Sequence, residues 1–220
     1  MGVDLWRDDA DTFRLPRIDI LRYRSSTAKR FMDIVLAGLA LVILLPLFCL
    51  VAIAIKWDSP GPVLFRQGRG GVDGRIFTIL KFRTLTVMED GAQITQISRG
   101  DCRATRVGRF LRRTSLDELP QLINVVMGDM SLVGPRPHAL AHDEMYSRLL
   151  PDYPVRFYVR PGITGWAQVN GARGPTPEPS DMKRRLDYDI WYIEHWTLGL
   201  DARILVATIV AISTGKMDAF

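Results

Sequence analysis

The sequence predicts an α+β chain in which one long apolar helix joins a polar domain of short strands and helices. Three observations predict it. Ile34 to Ile55 is a run of 22 residues without a charge, Arg75 to Arg83 alternates between two faces, and apolar residues recur at helical spacing after Pro120 and again from Leu186. At 220 residues, 47% of them hydrophobic, the chain has room for one domain of ordinary size and an appendage.

Residues 1–28 mix acids and bases without sustained periodicity, and a partly ordered tail is expected there. Residues 29–56 form the membrane segment. A helix over the uncharged run reaches about 33 Å, enough for the hydrocarbon core of a bilayer. The run is too long for a signal-peptide core and follows some 30 mostly polar residues, so cleavable export is not expected. Pro46 sits near its middle, where it removes the hydrogen bond to the carbonyl of Val42 and favours a kink. Basic residues flank both ends: Arg22, Arg24, Lys29 and Arg30 before the run, Lys56, Arg66 and Arg69 after it. The positive-inside rule therefore draws both ends to the cytoplasmic side. Two courses stay open on this reading, a helix that bends at Pro46 and leaves by the face it entered, and a kinked single-pass anchor.

Residues 57–220 form the polar domain. After the turn-rich Ser59-Pro60-Gly61-Pro62, Val63-Leu64-Phe65 and Arg75 to Arg83 read as a hairpin closed by Gly68 to Gly74. Those glycines precede a strand pattern and not a helix, which excludes a dinucleotide-binding loop. Lys81 and Arg83 are expected on one strand face, either as a solvated basic edge or as anion contacts. Residues 100–113 read as a basic helix carrying Arg103, Arg106, Arg109, Arg112 and Arg113, and it leads into Ser115-Leu116-Asp117-Glu118-Leu119-Pro120. Proline fits the first turn of a helix, so a helix is expected to start near Asp117, with Leu119, Leu122, Ile123 and Val126 on its buried face. Ser115 with Glu118 fits a capping box. The same two acids, set beside so many arginines at the positive end of a helix dipole, fit a site for a phosphorylated, metal-bound substrate.

Farther on, Arg136 stands between Pro135 and Pro137, and Arg160 precedes Pro161-Gly162; either guanidinium suits a phosphate, and either segment also suits a plain structural loop. His138 and His142 have the spacing of a helical metal pair, but no matching Cys or His cluster accompanies them, and a surface helix is expected. Leu186, Ile190 and Ile193 repeat at helical spacing among Tyr188, Trp191, Tyr192 and Trp196; the aliphatics are expected in the core and the aromatics at a water–lipid boundary. Ile204 to Ile212 is too short to cross a bilayer. The formal charge of +5 suits anionic lipid or phosphorylated substrates, whereas no nucleic-acid-binding module is present. The two cysteines, Cys49 in the apolar run and Cys102 in the polar domain, make no disulfide framework and fit a reducing cytoplasm.

From Lys29 to about Ala211 the chain resembles the monotopic phosphoglycosyl transferases, also called bacterial sugar transferases or polyprenyl-phosphate hexose-1-phosphate transferases. The words that carry the resemblance occur in order: Lys29-Arg30-Phe31-Met32-Asp33, Lys81-Phe82-Arg83-Thr84, Ser115 to Asn124, Gly128-Asp129-Met130-Ser131, Val133-Gly134-Pro135-Arg136-Pro137 and Arg160 to Gly171. The resemblance implies a membrane enzyme of the bacterial inner (cytoplasmic) membrane, with its catalytic domain on the cytoplasmic face. Such an enzyme moves a hexose 1-phosphate from a UDP-sugar to undecaprenyl phosphate and releases UMP.

The same resemblance implies a re-entrant helix, flanked by Lys29 and Arg30 and broken at Pro46, although Leu45 stands where relatives often carry serine. Asp117 matches the family's nucleophile and Glu118 its Mg2+-binding acid; Lys81, Arg83, Arg112, Arg136 and Arg160 are the expected substrate contacts. Pro137 to His142 with Gly171-Ala172-Arg173-Gly174 is most similar to the subgroup that primes exopolysaccharides with glucose or galactose, and UDP-glucose is the expected donor. Membrane lipids are expected partners, nucleic acid is not, and a homo-oligomer is compatible with the pattern. At this length the additional amino-terminal membrane bundle of some relatives is not expected. The competing reading is a non-catalytic membrane-bound scaffold that gathers anionic lipids or assembly partners; it accounts for the anchor and the charge but not for the adjacent acids.

Overall fold

The computed structural model describes residues 17–86 and 101–214. Residues 1–16 of the expected tail, and Gly100 at the start of the expected basic helix, lie outside them. The fold is mixed helix and small sheet. Helix α1 (Arg17–Ser25) leads through Ser26, whose hydroxyl caps the amide of Lys29, into α2 (Thr27–Asp58), a 32-residue apolar helix with Pro46 inside. Strands β1 (Leu64–Gly70) and β2 (Ile76–Phe82) form the expected antiparallel hairpin, pairing Leu64 with Phe82 through to Gly70 with Ile76. Helices α3 (Arg106–Arg113) and α4 (Gln121–Met127) follow, then β3 (Ser131–Val133), α5 (Leu140–Leu149), β4 (Gly162–Thr164), α6 (Trp166–Val169), α7 (Pro179–Glu194) and α8 (Leu198–Ser213). Strand β4 pairs parallel with β3.

One stripe of α2 builds the fold and the rest is left open. Ala37, with Ala40, Leu41 and Leu44, packs on a core that includes Leu122, Val125, Val133, Ile193 and Ile204. Val51 and Ile55, with Leu47 and Phe48, pack on Phe82 and Leu111. The opposite face stays apolar and exposed, as at Val42 (73%), Ile43 (64%) and Leu50 (65%). A face of that kind is compatible with a membrane anchor.

Both ends of α2 are tied to the same polar domain. Near its start Lys29 is buried between Asp33 (3.1 Å) and Asp201 of α8 (2.8 Å), and Arg30 donates to the carbonyls of Val125 (2.6 Å) and Val126 (2.8 Å) at the end of α4. At its far end Asp58 accepts from the amide of Val107 in the first turn of α3 (2.9 Å). Lys29 and Arg30, expected as a basic flank, are thus engaged inside the protein, where a buried ion pair needs partners more than proximity to lipid. Tyr192 and Trp196 also depart from expectation. Both are buried and donate to Asp201, at 2.7 and 3.2 Å, because the polar tip of a buried aromatic needs an acceptor and Asp201 supplies two.

Candidate active site

The helix expected from Asp117 begins later. Ser115 adopts a left-handed conformation (φ 58°), a single 3-10 turn spans Leu116–Glu118, and α4 starts at Gln121 after Pro120. No capping box forms, since Ser115 makes no cap hydrogen bond. A non-glycine residue at positive φ is uncommon and marks a locally determined turn. This one sets the acids at the head of the helical stretch that runs on into α4.

The two carboxylates, each buried, are held differently. The end of β2 delivers Lys81, whose Nζ lies 2.8 Å from Oε1 of Glu118, and the segment after β3 delivers Arg136, whose Nη1 and Nη2 donate to Oε2 (3.1 Å) and Oε1 (2.5 Å) of the same carboxylate. Asp117 accepts no hydrogen bond among the described residues. Burial pushes the Glu118 carboxyl up, but Arg136 and Lys81 outweigh it and hold the group well below the usual carboxylate range. For Asp117 burial and then the Glu118 charge prevail over Lys81, Arg112 and Arg136, and its carboxyl is pushed up to about 6. Like charges on neighbouring buried carboxyls produce this split.

Two further arginines face the pair. Arg112, in the last turn of α3, lies within electrostatic reach of both carboxylates. Arg173, which sequence reasoning did not single out as a contact, donates from Nη2 to Oγ of Ser115 (3.0 Å) and adds to the cationic field on Glu118. Its signal was an arginine flanked by residues that free the backbone: Gly171 and Gly174 both have positive φ, at 79° and 102°.

Behind the acids a second charged cluster fixes the backbone that carries these arginines. Arg156 donates to Asp189 (2.8 Å), to the hydroxyl of Tyr153 (2.9 Å) and to the carbonyl of Arg136 (2.5 Å). Arg185 donates to the carbonyls on either side of Arg173, those of Ala172 (3.0 Å) and Gly174 (2.7 Å). His138 lies between them. Arg185 approaches its Nε2 and Arg156 its Nδ1, each at 3.0 Å, and Nδ1 also lies 2.7 Å from the Tyr153 hydroxyl, which donates in turn to Asp143 at 2.6 Å. Burial and the surrounding arginines hold the imidazole neutral, well below its usual range. The expected surface helix for His138 is therefore replaced by a buried site before α5, chosen by its hydrogen-bonding partners; His142 lies in α5, half-buried.

The structure does not bring Arg83 or Arg160 to the pair. Arg83 donates to the carbonyls of Pro60 (2.6 Å) and Ser59 (2.7 Å) and to the Ser59 hydroxyl (2.9 Å), clasping the turn after α2 instead of sharing a face with Lys81. Gly61 is required there: it has φ +120°, and a Cβ on it would stand 2.0 Å from the guanidinium. Arg160 donates to the carbonyl of Gly128 (3.1 Å), at the opposite end of α4 from the acids. Among the described residues no group of three or more His, Cys, Asp or Glu is arranged for a metal. Two adjacent carboxylates still fit magnesium, which is commonly held by one or two acids with the remaining ligands from substrate phosphates and water.

Comparison with known proteins places these features in one lineage. The model of a protein family described as bacterial sugar transferase matches residues 24–215. Proteins named UDP-glucose:undecaprenyl-phosphate glucose-1-phosphate transferase are 52% identical over 82% of this chain in Escherichia coli K12, 51% over 91% in Caulobacter vibrioides and 54% over 88% in Xanthomonas campestris pv. campestris. The chain spans 39%, 73% and 40% of their respective lengths. The ordered words, the paired acids and the match across nearly the whole chain agree: this chain belongs to the bacterial sugar transferase family.

Proposed function

We propose that the chain transfers glucose 1-phosphate from UDP-glucose to undecaprenyl phosphate, with release of UMP, as the first membrane step in the synthesis of an exopolysaccharide or related glycoconjugate. The observation that carries this reading is the asymmetry of the acid pair. Glu118 is neutralised by Lys81 and Arg136, while the neighbouring Asp117 oxygens accept no hydrogen bond from any described residue. An oxygen without hydrogen bonds, in a cationic surround, is a nucleophile that can approach an anionic phosphorus.

In the first step an Asp117 oxygen bonds to the phosphorus that bears the sugar and the bond to the UMP oxygen breaks, leaving an aspartyl phosphosugar. In the second an oxygen of undecaprenyl phosphate bonds to that phosphorus, the acyl-phosphate bond breaks, and Asp117 is regenerated as a carboxylate. Arg136, Arg112, Lys81 and Arg173 supply the positive field for the diphosphate, each charge-assisted contact being worth about 1.5–3 kcal/mol. Glu118 would hold Mg2+, which when bound offsets negative charge on the donor phosphates.

The anchor reading is a re-entrant α2 that bends at Pro46, with the domain on the cytoplasmic face of the bacterial inner membrane. Its support is that the two ends of the helix dock on one domain, through Arg30 and Lys29 at one end and Asp58 at the other. A helix that crossed the bilayer would separate them. Incubating the protein in membranes with UDP-glucose, undecaprenyl phosphate and Mg2+ tests the whole reading. UMP release that depends on the lipid phosphate is the expected result, and its absence across a panel of UDP-sugars contradicts it.

A further inference from the structure

Arg160 was singled out as a phosphate ligand, yet it lies at the far end of α4, about 10 Å along the helix from the acids by its rise per residue. There it lines a cavity of about 540 Å3 formed by α1, the tip of the hairpin, Gly128-Asp129 and the segment around Tyr158. A volume of that size suits a small ligand. Three arginines and two aspartates line it: Arg24, Arg75 and Arg160 against Asp73 and Asp129. Arg24 and Asp73 are engaged with each other, at 2.9 and 2.8 Å. Arg160 uses its Nε on the Gly128 carbonyl, and its terminal nitrogens, like the side chains of Arg75 and Tyr158, make no hydrogen bond among the described residues.

We propose that this cavity is a second anion site, separate from the reaction, that takes the phosphodiester headgroup of an anionic bilayer lipid. Charge selects the ligand. With Arg24 matched by Asp73, the cations Arg75 and Arg160 face the single carboxylate of Asp129, which leaves one positive charge, the complement of a phosphodiester and not of a diphosphate. Apolar surface selects the source. Ile76 on the cavity wall is 67% exposed; Met127, next to Gly128, and Leu21, one turn from Arg24 on α1, are 69% and 64% exposed. Acyl chains attached to the bound phosphate find apolar surface at that rim, where a soluble anion gains nothing.

Native mass spectrometry of the full chain in detergent, titrated with phosphatidylglycerol, tests this. One saturable lipid adduct is expected, weakened about fivefold by Arg75→Gln, the loss of one lipid-facing cation. Arg22→Gln, the same charge change outside the cavity, leaves the adduct unchanged, and UMP release in detergent by Arg75→Gln equals that of the unaltered chain. No saturable adduct, or equal weakening by the two variants, overturns the site. Displacement of the lipid by an equal concentration of glycerophosphoglycerol overturns the lipid assignment in favour of a free anion. Loss of UMP release in Arg75→Gln overturns its separation from the reaction. The adduct is read without substrate, so its failure is distinct from failure of the transferase reading.

Discussion

Two charge clusters stand back to back in this domain and differ in how many of their acids accept a hydrogen bond. In the rear cluster Asp189 receives Arg156, Asp143 receives Tyr153, and the arginines Arg156 and Arg185 also hold backbone carbonyls. In the front cluster Glu118 is bound from two sides while Asp117 accepts no hydrogen bond among the described residues. Buried charges are tolerated when their hydrogen-bonding capacity is met, and the rear cluster meets most of it, each of its acids accepting at least one hydrogen bond while Oδ2 of Asp143 is left without a partner among the described residues. The front cluster leaves the acceptor oxygens of Asp117 without a donor among the described residues, a cost that the rigid rear offsets by fixing the backbone at Arg136 and Arg173. The difference teaches where reactivity is to be sought: in the group the surrounding cations attract but do not bind.

The largest effect expected from breaking the front cluster is at Asp117. Asp117→Asn abolishes UMP release and leaves membrane association intact, as membrane flotation beside a UMP assay will show. Breaking the rear cluster has its largest effect on stability. Arg156→Ala leaves Asp189 buried without its cation and lowers unfolding free energy by about 3–5 kcal/mol, read from thermal or denaturant midpoints.

Glu118→Gln is expected to weaken the Mg2+ dependence and the rate together, because a neutral amide is a poorer magnesium ligand than a carboxylate and also leaves Lys81 and Arg136 without their counter-charge; a magnesium titration unchanged from the parent removes Glu118 from that role. Asp117→Asn carries a second, smaller consequence of opposite sign. Since the folded carboxyl titrates near 6, above an ordinary aspartate, ionising Asp117 destabilises the fold. The deficit is absent below about pH 4, grows as pH rises through about 6 and is complete above it, so the asparagine variant gains on the order of 1–3 kcal/mol at neutral pH and nothing in acid. Midpoints measured at both pH values check this. The smallest effect on catalysis belongs to Arg83→Gln. It loosens the turn after α2, with a lower unfolding midpoint, and leaves the donor KM unchanged, since the guanidinium is bound to Ser59 and Pro60.

Much of this was legible because it is local. The apolar run, the alternation of the hairpin and the adjacency of the two acids each occupy one stretch of chain, and periodicity reads them directly. What a charged or aromatic side chain meets across the fold is not local. Lys29, Arg83 and Arg160 look alike in sequence, yet one lies between two aspartates, one on a turn and one on a helix end. His138 joins two arginines and a tyrosine that follow it by 15 to 47 positions, a meeting no spacing announces. The start of α4 was misplaced because Ser115 takes the left-handed conformation, which a capping-box pattern does not reveal. Arg173 carried a faint signal in its flanking glycines, and its relation to Ser115 spans 58 positions.

The asymmetry of Asp117 and Glu118 is tested most directly by trapping. The protein is incubated with UDP-glucose labelled in the phosphate next to glucose, in the absence of undecaprenyl phosphate, and the intact polypeptide is weighed and its label located. A glucose-phosphate adduct on Asp117, discharged when undecaprenyl phosphate is added and missing in Asp117→Asn, is the predicted result. Rapid formation of the lipid product by a polypeptide that never carries label would contradict it.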